Sequence, residues 1–350
     1  MRRGLRAALA VVVGAAVLGA VACGGGTSSG DKTATAGAGA AKTPGAGSTA
    51  AATKSSATSA ATSAATAKAT IYPLTITDML GRSVTIAAEP KSIAAISPTT
   101  VEYVYAVGAT SKTRTTSVKY PAAATSAKDI GSAYQPSLEL IAGENPDVII
   151  ADSVLQPQIK ASLEALGKPV LYIGAENFID VPKALRIAGQ VLNKNAAGEQ
   201  AAADLEKKLA DIKAKLPKDK PKVLILNGTP EDFFAAKPES YVGDLAAQLA
   251  ADNVAKGQPD VGQFPGYTKL SLEAILTSKP DVVLAITAGP PGGATISNGL
   301  ASNSAWADVP AVKNSRVSEI DAAIFLQAPG PRAGDALDKL AKLLYPSLFP

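Results

Sequence analysis

One fifteen-residue pattern occurs twice in this chain. Residues 137–151 read SLELIAGENPDVIIA and residues 271–285 read SLEAILTSKPDVVLA, aligned without a gap at an offset of 134 residues. Each copy predicts a short helix, a Pro-Asp turn and a buried strand. Pro146 and Pro280 cannot continue a helix, because the ring clashes with the preceding turn and the amide proton is missing. The residue before each proline is steered out of the helical region. Residues 148–151 and 282–286 are unbroken apolar runs rich in β-branched side chains. That pattern suits a strand covered on both faces of a parallel sheet. A helix–turn–strand unit carried twice implies two similar lobes. The alternative is a common αβ joint that happens to recur.

The chain has 350 residues, 47% of them hydrophobic, which is room for two ordinary domains. Residues 1–22 do not belong to either. Arg2, Arg3 and Arg6 precede an apolar and glycine run over 8–20, and small residues then lead to Cys23. This predicts a secretory signal of the bacterial lipoprotein kind, because the apolar run is too short to span a bilayer. Cys23 is the only cysteine and the chain has no histidine. A disulfide or a His-activated thiol is therefore excluded, and lipidation is the reading left. More than one acyl chain there would anchor the protein stably to a membrane surface. Cleavage after residue 22 leaves 31 basic against 30 acidic side chains. Such a balance gives no footing for nucleic-acid binding.

Residues 23–69 are, after Cys23, almost all Gly, Ser, Thr and Ala with a few Lys, too polar to offset their ordering entropy. They predict a disordered tether with a reach of roughly 35–40 Å. Order is expected from residue 70. Residues 71–78 and 83–86 alternate around Gly81-Arg82, as a hairpin does. A first lobe over 70–192 then reads as β–α steps, with strands at 93–96, 113–118, 148–151 and 169–173 and Thr99 or Thr100 capping the first helix. The connecting segment 193–220 holds the longest helix, 196–216, with Leu205, Leu209, Ile212 and Leu216 at helical spacing. About 21 residues at 1.5 Å span roughly 30 Å. Pro217 and Pro221 end it. The second lobe, 221–350, carries strands at 223–226, 282–286 and 317–320 and helices at 242–251 and 334–344. The fold class expected is α/β: two similar lobes, largely parallel sheets, one long joining helix and a ligand cleft between the lobes. A stiff joint predicts limited closure.

Without histidine, the usual zinc sites and the Ser-His-Asp and Cys-His arrangements are excluded. No GxxxxGK[ST] loop is present, and the Gly289 loop contains two prolines that cannot donate to phosphate. Glu231-Asp232 is an adjacent acid pair of the kind found on solvated loops. The expectation is a protein with no catalytic residues, no metal ligands and no cofactor of its own.

Two α/β lobes place a cleft outside the carboxyl ends of their strands. The loops expected to line it contain Ser97, Tyr120, Asp152, Asn227 and Gly289. Aromatic residues are scarce, at 5%, yet Tyr120, Tyr134, Phe233, Phe234, Phe264, Tyr267 and Phe325 fall in such loops. There they would offer rigid, amphipathic contact area to a bulky ligand.

Taken together, the cysteine, the tether and the two lobes joined by one helix resemble a substrate-binding lipoprotein of an ABC importer. The resemblance is to the class that binds cobalamin, iron–siderophore complexes and haem. It covers 72–350 and rests on residues 75–86, 90–109, 130–151, 306–317 and 329–346, in order and spacing together. It implies that Glu139 and Glu273, at the positions matching the family's docking acids, meet arginines of a permease, one per lobe. The Tyr-Pro-x-x-Ala element at 120–124 is similar to that of cobalamin binders, whose tyrosine there contacts the corrin. Ligand contacts are then expected at Ser97, Tyr120, Tyr134, Asp152, Phe233, Phe234, Tyr267 and Phe325. Haem held through His is argued against, although Tyr could ligate iron. Only Arg114, Arg186, Arg316 and Arg332 follow the hairpin, which favours a near-neutral corrinoid over an anionic ferric siderophore. The expected partners are the chelate, a permease with its ATPase, and a membrane reached through the lipid; the chain is expected to be an extracytoplasmic monomer. A surface sensor reusing the fold, and a hydrolase using Asp and Glu alone, are the competing readings.

Overall fold

The computed structural model describes residues 68–262, 265–289 and 292–350. The expected signal segment, Cys23, most of the tether and Phe264 lie outside these residues. The first half opens with an antiparallel hairpin, β1 (Leu74–Thr77) and β2 (Ser83–Ile86). It continues through β3 (Ile93–Ala95), α1 (Pro98–Ala106), β4 (Thr113–Arg114), β5 (Lys128–Asp129), α2 (Leu138–Gly143), β6 (Val148–Asp152), α3 (Lys160–Glu164) and β7 (Val170–Ile173). Then come α4 (Asp180–Val191) and α5 (Asn195–Lys213), the latter preceding the second half. That half contains β8 (Lys222–Gly228), β9 (Phe233–Ala236), α6 (Tyr241–Gln248), β10 (Asp252–Asn253), β11 (Tyr267–Thr268), α7 (Leu272–Ser278) and β12 (Val282–Thr287). It ends with α8 (Ile296–Ser302), α9 (Pro310–Lys313), β13 (Val317–Glu319) and α10 (Ala333–Leu344).

Two sheets carry the fold. The first is parallel and three-stranded, β3-β6-β7. The second is six-stranded: β8, β10, β12 and β13 run parallel, and β9 and β11 add an antiparallel edge. The sequence pattern does not announce this edge, because Phe-Phe-Ala-Ala neither alternates nor follows a turn of recognisable type. The strand expected over 113–118 is shorter. Only Thr113 and Arg114 pair, with β5, apart from the main sheet. Side chains occupy the edge of β3 instead: Ala95 N–H donates to Ser111 Oγ at 2.9 Å, and Thr113 Oγ1 donates to the Ala95 carbonyl at 2.9 Å.

The repeated sequence has a structural meaning in its Pro-Asp step. Ser137 and Ser271 cap α2 and α7, each accepting an amide at 3.2 Å. Asn145 and Lys279, before the prolines, both take left-handed φ values of 43° and 51° and turn the chain toward the strand. The next residue then clamps the start of the neighbouring strand. Asp147 Oδ2 accepts the amides of Lys91 and Ser92 at 2.8 Å, just ahead of β3. Asp281 Oδ2 accepts the amide of Lys222 at 2.8 Å, at the start of β8. The register follows, with Ile93 opposite Val148 and Val223 opposite Val282. Replacing Asp147 by Ala is expected to cost about 1–2 kcal/mol in urea unfolding, and Asp281→Ala about 1, because a carboxylate accepting amides is replaced by nothing. The Ser92 and Lys91 amides hold the Asp147 carboxyl below its usual range. Its contribution is therefore present above the ordinary Asp pKa of about 4 and lost as pH falls through the lower folded value. Asp147→Asn flattens that acid limb; an unchanged limb would count against the clamp.

The long helix α5 packs along α4. Along α5 the residues Gly198, Ala202, Leu205, Leu209 and Ile212 are buried at helical spacing. A Cβ on Gly198 would lie 2.6 Å from the Leu185 carbonyl oxygen and 2.9 Å from Cα of Gly189, so α4 and α5 touch through two glycines. On the outer side Arg186 bonds Glu199 and Glu206 of α5. The same helix packs Leu205 against Gly334 of α10, in the second half. The described residues form one compact unit. Among the described residues no helix is long and apolar enough to cross a membrane.

Candidate functional site

The carboxyl ends of the parallel strands from both sheets meet around a cavity of about 700 Å³. Asp152, the last residue of β6, and Ala175, just past β7, come from the first sheet; Asn227 and Gly228, ending β8, and Ala288, just past β12, come from the second. Pro98 and Thr99, at the start of α1, add to the first wall. The other sides are built by Tyr134 and the 154–155 loop, by Phe234 and Tyr267 on the antiparallel edge, and by the segment 326–329. This is where open α/β sheets bind ligands, because strand ends release loops there while helices cover the faces.

Among the described residues the lining includes no Lys or Arg, and Asp152 is its one acidic side chain. That carboxylate is fully engaged. Its Oδ1 accepts the amides of Val154 and Leu155 at 2.8 and 3.0 Å, and its own amide donates to Gln156 Oε1 at 2.9 Å. Burial pushes the Asp152 carboxyl up, while the Leu155 and Val154 amides and the Thr99 and Ser97 hydroxyls favour the ionised form. Gly174 makes room for this arrangement, since a Cβ there would lie 3.0 Å from Asp152 Oδ1. Burial also pushes the Tyr267 phenol up, opposed by its hydrogen bond to the Asn227 side chain. Lys269 stands behind the aromatic wall. Its Nζ lies 4.2 Å from the Phe234 ring centroid and pairs with Asp232.

Of the eight expected ligand contacts, Tyr134, Asp152, Phe234 and Tyr267 share this cavity; the other four do not line it. Ser97 is buried as the N-cap of α1, where it accepts the Thr100 amide at 3.1 Å while its own amide donates to Thr100 Oγ1 at 3.0 Å. It also takes the capping role expected of Thr99 or Thr100, because Pro98 occupies the first helical position. Phe233 turns the other way from Phe234, as successive residues of a strand must, and meets Trp306 edge-on at 6.2 Å. Phe325 is 1% exposed in the main core, drawn in by a π-helical turn over Ala323–Gln327. Tyr120 lines a separate cavity of about 490 Å³ beside Glu102 and Ala106 of α1, with its ring stacked on Arg332.

Sequence reasoning missed Val154, Leu155, Leu326 and Gln327. Val154 was the most legible, an apolar residue two positions past a buried strand that remains half exposed. Glu139 and Glu273 sit in the first turns of α2 and α7, exposed, with no ion-pair partner among the described residues. Among the described residues, no group of three or more His, Cys, Asp or Glu is placed to hold a metal ion.

Residues 93–324 match a family model described as periplasmic binding protein. An uncharacterized ABC transporter substrate-binding lipoprotein of Bacillus subtilis, YvrC, is 26% identical over 292 residues, covering 80% of this chain and 88% of the relative. The high-affinity heme uptake system protein IsdE of Staphylococcus aureus is 24% identical over 221 residues, 62% of this chain and 74% of the relative. Among solved structures, the periplasmic vitamin B12 binding protein BtuF of Vibrio cholerae superposes with a TM-score of 0.61 at 19% identity. That match covers 73% of this chain and 97% of the other.

Proposed function

This chain belongs to the periplasmic binding protein family, and we propose that it captures a metal chelate in the cleft between its sheets and delivers it to an ABC permease driven by its ATPase. The observation that carries this reading is the cavity itself. It is of ligand size, walled by Tyr134, Phe234 and Tyr267, and lined by no basic side chain among the described residues. Such a wall suits a large ligand with little net negative charge, which favours a corrinoid over an anionic ferric siderophore. Haem, named for the relative IsdE, supports a metal chelate as the ligand class. A second reading, a ferric ligand, is favoured by one feature: Tyr134 from the first half and Tyr267 from the second both line the cavity, and phenolate is an iron ligand. The same proposal has Cys23 carrying the lipid that keeps the protein, as a monomer, on the outer side of the cell membrane. It assigns no catalytic residue.

The test is a titration of residues 66–350 with cyanocobalamin and with a panel of ferric chelates, followed by quenching of Trp and Tyr fluorescence. Saturable binding is expected for one class. Tyr267→Ala and Phe234→Ala are each expected to weaken it about 10- to 30-fold, the cost of removing a buried aromatic anchor. Tight binding that ignores both substitutions would place the ligand elsewhere.

A further inference from the structure

Arg332, the residue ahead of α10, crosses from the second half to the first and is held there on two sides. Its Nε lies 3.0 and 2.9 Å from the two carboxylate oxygens of Glu102 on α1, and its Nη2 donates to Oε1 at 2.5 Å. Its guanidinium carbon stands 4.7 Å from the centre of the Tyr120 ring. The Glu102 side chain is 2% exposed and that of Arg332 15%, so the pair is shielded from solvent. A fourth hydrogen bond runs from Nη2 to the Ala323 carbonyl at 3.2 Å, within the second half. Two residues before Arg332, Gly330 packs against the buried Tyr103 side chain, where a Cβ would lie 3.6 Å from the ring.

The placement of these groups relative to the ligand cavity is regular. Thr99 lines the cavity and Glu102 follows three residues later, one turn along α1. Ser117 lines it and Tyr120 follows three residues later. Pro329 lines it and Arg332 follows three residues later. Three segments that line the cleft, two from the first half and one from the second, are thus tied together by one guanidinium, each three residues on from a lining residue. A bidentate fork with a flat stacking face is what Arg supplies and Lys does not.

We propose that Arg332 is a positioning residue, which holds the cleft-lining segments at 99, 117 and 326–329 in one register through Glu102 and Tyr120. The inference rests on the cavity being the ligand site; which chelate enters does not matter to it. Tyr120 then acts on the ligand site through Arg332, by covering it.

The test is amide hydrogen exchange on the full chain with no ligand added. In Arg332→Gln and Glu102→Gln, exchange over 117–121 and 326–332 is expected to rise at least about tenfold while β8 and β12 keep wild-type protection. Arg332→Lys should fall with the loosened variants, having charge but no fork. Tyr120→Phe should match wild type and Tyr120→Leu should loosen 117–121; its ring is half exposed, so this pair reads out even where Arg332→Gln fails to fold. Unchanged exchange in the two segments, or an equal rise in β8 and β12, would overturn the proposal, the second by showing a general loss of stability. Because no chelate is present, failure of the wild type to bind one leaves this result standing and counts only against the transport reading.

Discussion

Reversing Glu139 and Glu273 together to Lys is expected to cut uptake of the chelate about 100-fold or more in the native cell, with ligand affinity within about twofold of wild type. Both acids are exposed, stand at the second position of a Ser-capped helix and occupy the same place in the two copies of the repeat. Neither lines the cavity. A two-sheet protein seated on a permease of matching symmetry would present one anion from each half, and a close interfacial charge pair couples by about 1.5–7 kcal/mol. At 1.4 kcal/mol per decade, even the low end costs tenfold for each site lost, and reversal adds repulsion. Uptake of labelled chelate in cells carrying the variant, beside a titration of the purified protein, separates the two quantities. Normal uptake would remove these acids from docking; lost affinity would move them to the ligand site.

Gly198→Leu is expected to lower stability by about 3 kcal/mol or more, read as a fall in Tm of about 6 °C or more. The position tolerates no side chain, because a Cβ meets the Leu185 carbonyl at 2.6 Å and the backbone of Gly189 on the opposite helix. Backbone cannot rotate aside as a side chain can, so α4 and α5 must separate. Separation also disturbs Leu205 and Leu209, which belong to the main core. Gly143→Ala is the control. Its Cβ would have no heavy atom within 4 Å, at the end of α2, and only a few tenths of a kcal/mol are expected to change. Equal Tm for Gly198→Leu and wild type would mean that the two helices do not depend on this contact.

Elements whose causes are local were legible in the chain. The two repeat units occupy the expected positions, because a Ser cap, a Pro stop and a run of β-branched residues act within a few residues of one another. The N-terminal hairpin, α5 and α10 follow for the same reason. Less legible were elements that owe their state to partners far away. The 113–118 run lost most of its strand because Ser111 and Thr113 bond β3 through side chains. Conversely β9 and β11, which no pattern marked, exist because β8 offers β9 an edge and β9 offers one to β11.

The site divides along the same line. From the sequence alone came the α/β class, the repeat, the location of a cleft at strand ends, and half of its expected wall: Tyr134, Asp152, Phe234 and Tyr267. What only the tertiary structure decided is the direction in which each loop residue faces. Phe233 and Phe234 are neighbours in sequence and part ways because one strand turns them to opposite faces. Ser97 is taken up by its own helix, Phe325 by the core, and Tyr120 by an arginine more than two hundred residues away. Composition and spacing constrain which segments reach the cleft, since hydrogen bonding and chain stiffness are local. The facing of a side chain is settled by packing between segments that meet only in the folded molecule, and no window along the chain contains both partners.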